Sequence, residues 1–145
     1  MSIVRIALAQ TNPIVGDVVG NTARIIDLIS RARQAGAAIV AFPELSVAGY
    51  PPRDLLLKPR FVKANVEAVQ RIAESCVGIV ALVGFVEPNA DTVGRSLRNA
   101  AAFCADGRVQ AVRHKSLLPT YDVFDEQRYF EPGPEVALIQ HDSMN

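Results

Sequence analysis

The first 42 residues read as an apolar segment, a helical segment and a second apolar segment, and this order limits the fold more than any other feature. Residues 4–9 are apolar except for Arg5, and residues 37–42 are apolar throughout. Between them, apolar side chains recur at helical spacing up to Gln34, and Gly36 is suited to ending a helix. We predict a βαβ unit with parallel strands, its helix capped by Asn21 or Thr22.

The remaining segments extend this α/β pattern. A loop over 43–59 carries four prolines, and a helix is predicted over 60–75. Strands are predicted over 77–86, 98–104 and 108–114, the last two joined by a tight Asp-Gly turn at Asp106 and Gly107. Residues 115–134 form a long loop of the kind that is usually functional. A last strand is predicted over 136–139.

Composition excludes several classes of protein. Half of the 145 residues are hydrophobic, so the chain can bury a core, and 15 basic residues balance 15 acidic ones. A chain without surplus positive charge is not expected to bind nucleic acid or an anionic membrane surface. No apolar run approaches the roughly 18 residues that cross a bilayer, and we expect no signal peptide.

The two cysteines, Cys76 and Cys104, lie in or beside apolar segments and are interpreted as structural thiols. Free thiols of this kind are typical of a reducing compartment, so we expect a cytoplasmic protein. No spacing of Cys and His predicts a zinc site, and we assign no metal ligand. His114 and His141 have no partners nearby in the sequence and are interpreted as non-catalytic.

The predicted secondary structure also looks incomplete. Two helices and about six strands do not cover both faces of a sheet. We therefore expect residues 1–145 to be the N-terminal portion of a larger protein.

Two charged residues follow predicted strands. Glu44 comes just after the strand at 37–42, which Pro43 ends because proline has no N–H to donate. Lys115 comes just after the strand at 108–114. Open α/β sheets place their ligand sites at such strand ends. A carboxylate base beside an ammonium suits acyl chemistry, in which a proton is removed from a nucleophile and an oxyanion forms.

Sequence separation does not show that these two residues meet. Glu44 could equally serve as a loop cap, and Lys115 as a surface lysine at the end of its strand. The aromatic and acidic segment 121–130 follows Lys115, and it could be either part of the same site or a packed loop with solvated acids. The residues alone leave these alternatives open.

Several motifs in order resemble the nitrilase, or carbon–nitrogen hydrolase, superfamily. They are Ala-Gln-Thr-Asn-Pro-Ile-Val-Gly-Asp at 9–17, with Gly-Asn at 20–21; Phe-Pro-Glu-Leu at 42–45; Asn-Ala-Ala at 99–101; and His-Lys-Ser-Leu-Leu-Pro-Thr-Tyr at 114–121, with Pro-Gly at 132–133. Two more are specific: Gly-Tyr-Pro-Pro-Arg-Asp-Leu-Leu at 49–56 and Val-Phe-Asp-Glu-Gln-Arg-Tyr-Phe at 123–130. These two favour the glutamine amidotransferase domain of glutamine-dependent NAD⁺ synthetases over simple nitrilases.

The resemblance implies an α-β-β-α sandwich, of which this chain would be the N-terminal part. It also implies a Glu–Lys–Cys catalytic set, with Glu44 as general base and Lys115 stabilising the tetrahedral intermediate. Tyr50, Tyr121 and Glu126 match positions that line the glutamine pocket.

The same resemblance implies that a cysteine attacks the side-chain amide of glutamine and releases ammonia. A separate synthetase domain would use ATP and Mg²⁺ to adenylate nicotinic acid adenine dinucleotide, which ammonia converts to NAD⁺. No cofactor is expected in this portion, and a homo-oligomer is expected because superfamily members commonly self-associate.

One element of the pattern is absent from the sequence. The family's nucleophile lies downstream of the lysine in a Cys-Glu-Asp context, and neither Cys76 nor Cys104 matches it. We therefore expect the chain to be inactive alone. The alternatives are another amidase of the superfamily, or a truncated, non-catalytic domain kept for binding or assembly.

Overall fold

A five-stranded mixed sheet forms the centre of the molecule, for which the computed structural model describes residues 3–91, 93–134 and 138–140. The strands lie in chain order: β1 (Ile6–Leu8), β2 (Ile39–Ala41), β3 (Val80–Pro88), β4 (Leu97–Ala105) and β5 (Arg108–His114). Strands β1, β2 and β3 pair in parallel, and β3, β4 and β5 pair antiparallel. The predicted βαβ unit and the hairpin are confirmed.

The hairpin turn between β4 and β5 follows from its two residues. Asp106 and Gly107 both have positive φ, 52° and 76°. Positive φ at both central positions is the geometry of the two-residue turn that matches the twist of paired strands.

Two long helices connect the parallel strands, α1 (Val18–Gln34) and α2 (Pro59–Glu74). A 3-10 helix (Arg53–Leu57) and a short helix α3 (Glu126–Tyr129) lie within the two segments predicted as loops. Pro59 occupies the first turn of α2, where its missing N–H costs no hydrogen bond. Among the described helices, none has the length and apolar character needed to cross a membrane.

The predicted cap of α1 is wrong. The helix begins one turn earlier, and Asp17 caps it by accepting a hydrogen bond from the Gly20 N–H at 2.9 Å. Asn21 instead fixes the preceding loop, because its Nδ2 donates to the carbonyls of Ile14 and Val47 at 2.8 and 3.0 Å. These contacts join separate segments of the chain. Preferences for cap residues depend on the local sequence and therefore do not predict them.

Both long helices cover the same face of the sheet. Ile29 of α1 and Ile72 of α2 are fully buried there against alternate residues of the strands, including Ala81 and Val83 of β3. The opposite face is covered only in part: Leu8 on β1 is 73% exposed, whereas Val86 on β3 is buried against the loop residue Leu45. Of the last strand predicted, over 136–139, residues 136 and 137 lie outside the described residues, and residues 138 and 139 form no strand, although Ile139 packs against Phe103 and neighbouring apolar residues.

Candidate functional site

Glu44 is positioned by a close approach of its loop to β3. After β2 the chain folds over β3, where the Val47 N–H and the Ser46 Oγ both donate to the Gly84 carbonyl at 3.2 Å. A Cβ at Gly84 would lie 2.5 Å from the Leu45 nitrogen and 2.6 Å from the Pro43 oxygen. Glycine is therefore needed beneath the Glu44 loop. Leu45 itself is buried in the left-handed region, with φ 48°.

Lys115 is held by its main chain immediately after β5. Its N–H donates to the Asn99 carbonyl at 2.9 Å, and its carbonyl accepts from the Gly133 N–H at 2.8 Å. The Ser116 Oγ donates to the Pro134 carbonyl at 2.9 Å. Residues 131–134 thus form a strap across the end of the strand, and this strap fixes the point from which the Lys115 side chain starts.

Glu126 begins α3, and its main-chain N–H donates to the Pro119 carbonyl at 3.1 Å. Its side chain is only 5% exposed, so an isolated negative charge there would be unfavourable. The Tyr50 hydroxyl donates to Glu126 Oε1 at 2.9 Å and supplies part of the compensation. The segments 49–56 and 123–130, which carry the two specific motifs of the sequence, therefore meet at this carboxylate.

These residues converge in one charged cluster. Lys115 Nζ lies 2.7 Å from Glu44 Oε1 and 3.0 Å from Glu126 Oε2. Asn99 Nδ2 donates to Glu44 Oε1 at 2.5 Å and to Glu126 Oε2 at 3.5 Å. One ammonium therefore stands between two carboxylates that would otherwise repel each other.

The cluster changes the proton affinity of its members. Burial alone would lower the pKa of Lys115, but hydrogen bonds to Glu44 and Glu126 outweigh it and raise that pKa above the ordinary value. Burial, followed by the hydrogen bond to Glu126, raises the pKa of Tyr50. At neutral pH the lysine is therefore a cation and the tyrosine a neutral donor, so an oxyanion formed nearby would meet a fixed positive charge.

The site residues predicted from the sequence divide into two groups. Glu44, Lys115, Glu126 and Tyr50 come together, although their separation in sequence did not require it. Tyr121 lies outside this cluster with 69% of its residue exposed. Its ring packs edge-on against Phe124 at 5.6 Å, and Phe124 in turn lies 6.2 Å from the Tyr50 ring. The roles assigned to all five residues stay predictions.

Asn99 is the cluster member to which the sequence analysis gave no role. It lies on β4 among apolar residues and is 4% exposed. A polar side chain within such a strand must find partners when buried, and this is the signal that could have identified it. The motif at 99–101 contains Asn99, but the sequence analysis used that motif only for the family resemblance.

Two cavities border the cluster. One, of about 490 Å³, is lined by Tyr50, Phe124, Glu126 and residues of the 3-10 helix. The other, of about 420 Å³, lies on the open face and includes Glu44, Asn99 and Lys115 in its lining. The charged groups can therefore be reached from two sides. In the described part of the chain, no group of three or more His, Cys, Asp or Glu side chains is arranged to hold a metal ion.

Both cysteines lie in the core on the helix-covered side, fully buried and unpaired by a disulfide. The hydrogen bond with Cys76 and then burial raise the pKa of the Cys104 thiol, so the reactive thiolate is disfavoured. His114 has a partner that its sequence neighbours did not reveal, because its Nε2 lies 2.6 Å from Glu87 Oε2. His141 lies outside the described residues.

Comparison with known proteins identifies the family. The model of the carbon–nitrogen hydrolase family matches residues 5–143. The chain belongs to this family. It is 39% identical over 142 residues to the glutamine-dependent NAD⁺ synthetase of Thermotoga maritima, which covers 97% of this chain and 24% of that relative. It is 47% identical over 132 residues to the Xanthomonas campestris enzyme of the same name, covering 90% and 23%.

Solved structures of the family agree with the fold. The glutamine-dependent NAD⁺ synthetase of Acinetobacter baumannii superposes with a TM-score of 0.85 at 39% identity, over 94% of this chain and 25% of that chain. An amidase from Nesterenkonia sp. superposes with a TM-score of 0.73 at 26% identity, over 91% and 49%. The predicted α/β fold of nitrilase type is confirmed. The chain spans about a quarter of the length of the synthetases it matches.

Proposed function

We propose that this chain is the N-terminal portion of the glutaminase domain of a glutamine-dependent NAD⁺ synthetase. The observation that carries the proposal is the Lys115 ammonium held between Glu44 and Glu126 at 2.7 and 3.0 Å. The relatives are named as synthetases, and the matched shares of 24% and 23% make each of them about 600 residues long. Name and length both support this assignment over a free-standing hydrolase. The rest of the glutaminase domain and the synthetase domain would then belong to the same protein.

In the proposed reaction, Glu44 accepts a proton from a thiol, and the thiolate attacks the amide carbon of glutamine. The oxyanion that forms is stabilised by Lys115. The C–N bond then breaks as the proton taken up by Glu44 passes to the amide nitrogen, ammonia leaves, and water hydrolyses the thioester to glutamate and the free thiol. Glu126 keeps Lys115 charged and in place, and Tyr50 in turn holds Glu126. We propose that Tyr50, Tyr121 and Glu126 line the glutamine pocket, with Tyr121 at its rim.

The nucleophile belongs, in this proposal, to a segment outside residues 1–145. Cys76 and Cys104 are in the core, where neither glutamine nor Glu44 reaches them. One amidase structure of the family carries an acrylamide adduct at its active-site cysteine, which supports thiol chemistry in the family. We expect the 145-residue chain to have no glutaminase activity alone.

The ammonia would amidate nicotinic acid adenine dinucleotide in the synthetase domain, where ATP and Mg²⁺ would activate the acid. We further propose a cytoplasmic homo-oligomer. The two unpaired thiols support a reducing compartment.

The test uses the full-length protein with each nitrogen donor separately. We expect Glu44→Gln to lower glutamine-driven NAD⁺ formation by about 100-fold or more, the usual contribution of a general base, and to spare ammonia-driven formation. Lys115→Ala should abolish the acyl-enzyme burst. Lys63→Ala is the control, because Lys63 is an exposed α2 lysine paired with Glu67. Equal loss with both donors would contradict the role of Glu44.

A second candidate is an amidase acting on another small amide, favoured by the Nesterenkonia match at a TM-score of 0.73. It predicts hydrolysis of small amides without any ATP-dependent synthesis. NAD⁺ formation from ammonia and ATP would exclude it. A non-catalytic domain for binding or assembly predicts neither activity in the full-length protein.

A further inference from the structure

The two oxygens of the Glu44 carboxylate are not equivalent. Oε1 accepts hydrogen bonds from Lys115 Nζ at 2.7 Å and from Asn99 Nδ2 at 2.5 Å. Oε2 accepts none from the residues that the structure describes. A carboxylate oxygen that already accepts two strong hydrogen bonds is a poor site for a further proton, so Oε2 is the oxygen with a lone pair available.

Asn99 is the residue that distinguishes them. Its side-chain amide contacts Glu44 and Glu126, and its main-chain carbonyl accepts from the Lys115 N–H at 2.9 Å. It therefore contacts every charged member of the cluster. The orientation of its amide is fixed by chemistry, because both carboxylates are acceptors and only the NH₂ group can donate to them.

Lys115 alone would not fix the carboxylate. The terminal torsion of a glutamate side chain is broad, and an ammonium binds as a point charge without directional preference. Either oxygen of Glu44, or both, could then turn toward Nζ. A second donor of fixed direction removes this freedom, and Asn99 is rigid because it lies within β4 opposite Val86 of β3.

We propose that Asn99 is a positioning residue that fixes the rotation of the Glu44 carboxylate and thereby selects Oε2 as the oxygen that receives the proton of the nucleophile. This inference rests on the proposed function. It assigns Asn99 no contact with the substrate. Its effect on the reaction passes through Glu44, so it should appear in the proton-transfer step that precedes thioester formation.

The test compares variants of the full-length protein with glutamine as donor. Asn99→Leu keeps the approximate volume and removes the donor. We expect kcat and the single-turnover rate of thioester formation to fall about 100-fold, the loss expected from a small misplacement of a reacting group. KM for glutamine and ammonia-driven synthesis should stay unchanged, because no ground-state binding contact is lost.

Asn99→Asp separates positioning from packing. It preserves the shape of the side chain but replaces the donor by a third carboxylate. A packing role predicts that this near-isosteric change is milder than Asn99→Leu, whereas positioning predicts a loss of thioester formation at least as large. The matched control is Asn65→Leu, since Asn65 is a fully buried asparagine on α2 that donates to the Phe61 carbonyl. It should leave kcat unchanged.

The outcomes distinguish this inference from the proposed function. A wild-type protein without glutamine-driven turnover would overturn the proposed function itself. An active wild type whose Asn99→Leu variant keeps its kcat would overturn only the role of Asn99. Asn99 would be only a structural residue if Asn99→Leu lowered kcat, raised KM and lowered the thermal unfolding temperature, and if Asn65→Leu had the same effects.

Discussion

The helix-covered face of the sheet is closed by fully buried apolar side chains such as Ile29 and Ile72, and it contains both thiols. The open face carries Gly84, Asn99 and the approach to the Glu44–Lys115 pair, bordered by the exposed Leu8. The same strands supply both surfaces, because successive side chains of a strand point to opposite sides. Alternation along β4 therefore places Cys104 on the helix-covered face and Asn99 of the cluster on the other face.

This difference explains why Cys76 and Cys104, although thiols are reactive side chains, lie away from the charged cluster where the chemistry is expected. The hydrogen bond with Cys76 and burial raise the pKa of the Cys104 thiol, whereas hydrogen bonds to Glu44 and Glu126 raise the pKa of Lys115 and keep it a cation. The position of a residue relative to the sheet thus decides its role more than its chemical type does. Three predictions test this contrast between the faces, in order of decreasing effect.

The largest difference is expected between apolar residues on the two faces. Ile72→Ala should lower the free energy of unfolding by about 4 kcal/mol, because it leaves a cavity in a closed core. Leu8→Ala should lower it by about 0.5 kcal/mol or less, because that side chain is already 73% exposed. Urea unfolding of the chain measures both. Similar losses would mean that the open face is covered in solution.

An intermediate effect is expected beneath the Glu44 loop. Gly84→Ala should cost about 2–3 kcal/mol, as in other overpacked sites, because the new Cβ would overlap the main chain of Pro43 and Leu45. Gly78→Ala is the matched control. Its Cβ meets nothing within 4 Å, and only its positive φ of 71° opposes it, at about 1 kcal/mol.

Equal destabilisation by Gly84→Ala and Gly78→Ala would contradict this interpretation of Gly84. In the full-length protein, Gly84→Ala should also impair glutamine-driven turnover, since it displaces the loop that carries Glu44. Gly78→Ala should not, because Gly78 lies outside that loop.

The smallest effect concerns the hydrogen bond between Tyr50 and Glu126. Tyr50→Phe should lower the free energy of unfolding by about 1.5 kcal/mol near neutral pH, the lower end of the range for a hydrogen bond to a charged group. The pKa of Tyr50 is raised in the folded state by burial and by Glu126. Its contribution is therefore complete below the unfolded pKa of about 10 and is lost as the pH rises further.

A spectroscopic titration checks this assignment directly, since the chain has three tyrosines and no tryptophan. Tyr50 should ionise at the most alkaline pH, and Tyr50→Phe should remove that step from the titration of phenolate absorbance. Tyr129→Phe is the control. The pKa of Tyr129 is also raised, through its hydrogen bond to Asp54, but the Tyr50 step should persist without it.

Local patterns predicted much of this structure. Strand β5 lies at its predicted residues, 108–114, because polar and apolar residues alternate after a clear turn signal. Strands β1 and β2 are shorter than their apolar runs, since only Ile6–Leu8 and Ile39–Ala41 pair across the sheet. The hydrophobic runs predicted that both strands exist, but β1 lies at the edge of the sheet with Ile6 and Leu8 exposed, and the ends of a strand depend on its neighbour.

The site was predicted only in part, for a physical reason. Glu44 and Lys115 were identified by their positions after strands, and a family resemblance added Glu126 and Tyr50. Their convergence depends on hydrogen bonds between residues far apart in sequence, such as Asn99 to Glu44. The left-handed conformation of Leu45 was not predicted either, because leucine rarely adopts it and only the buried surroundings over β3 hold it there.

The strap across β5 has a mechanical consequence. Gly133 is bonded to the Lys115 main chain, and Pro134 to the neighbouring Ser116, at 2.8 and 2.9 Å. One of these hydrogen bonds is made by Lys115 itself and the other by the next residue, so a displacement of residues 133–134 would also move the main chain from which the Lys115 side chain starts.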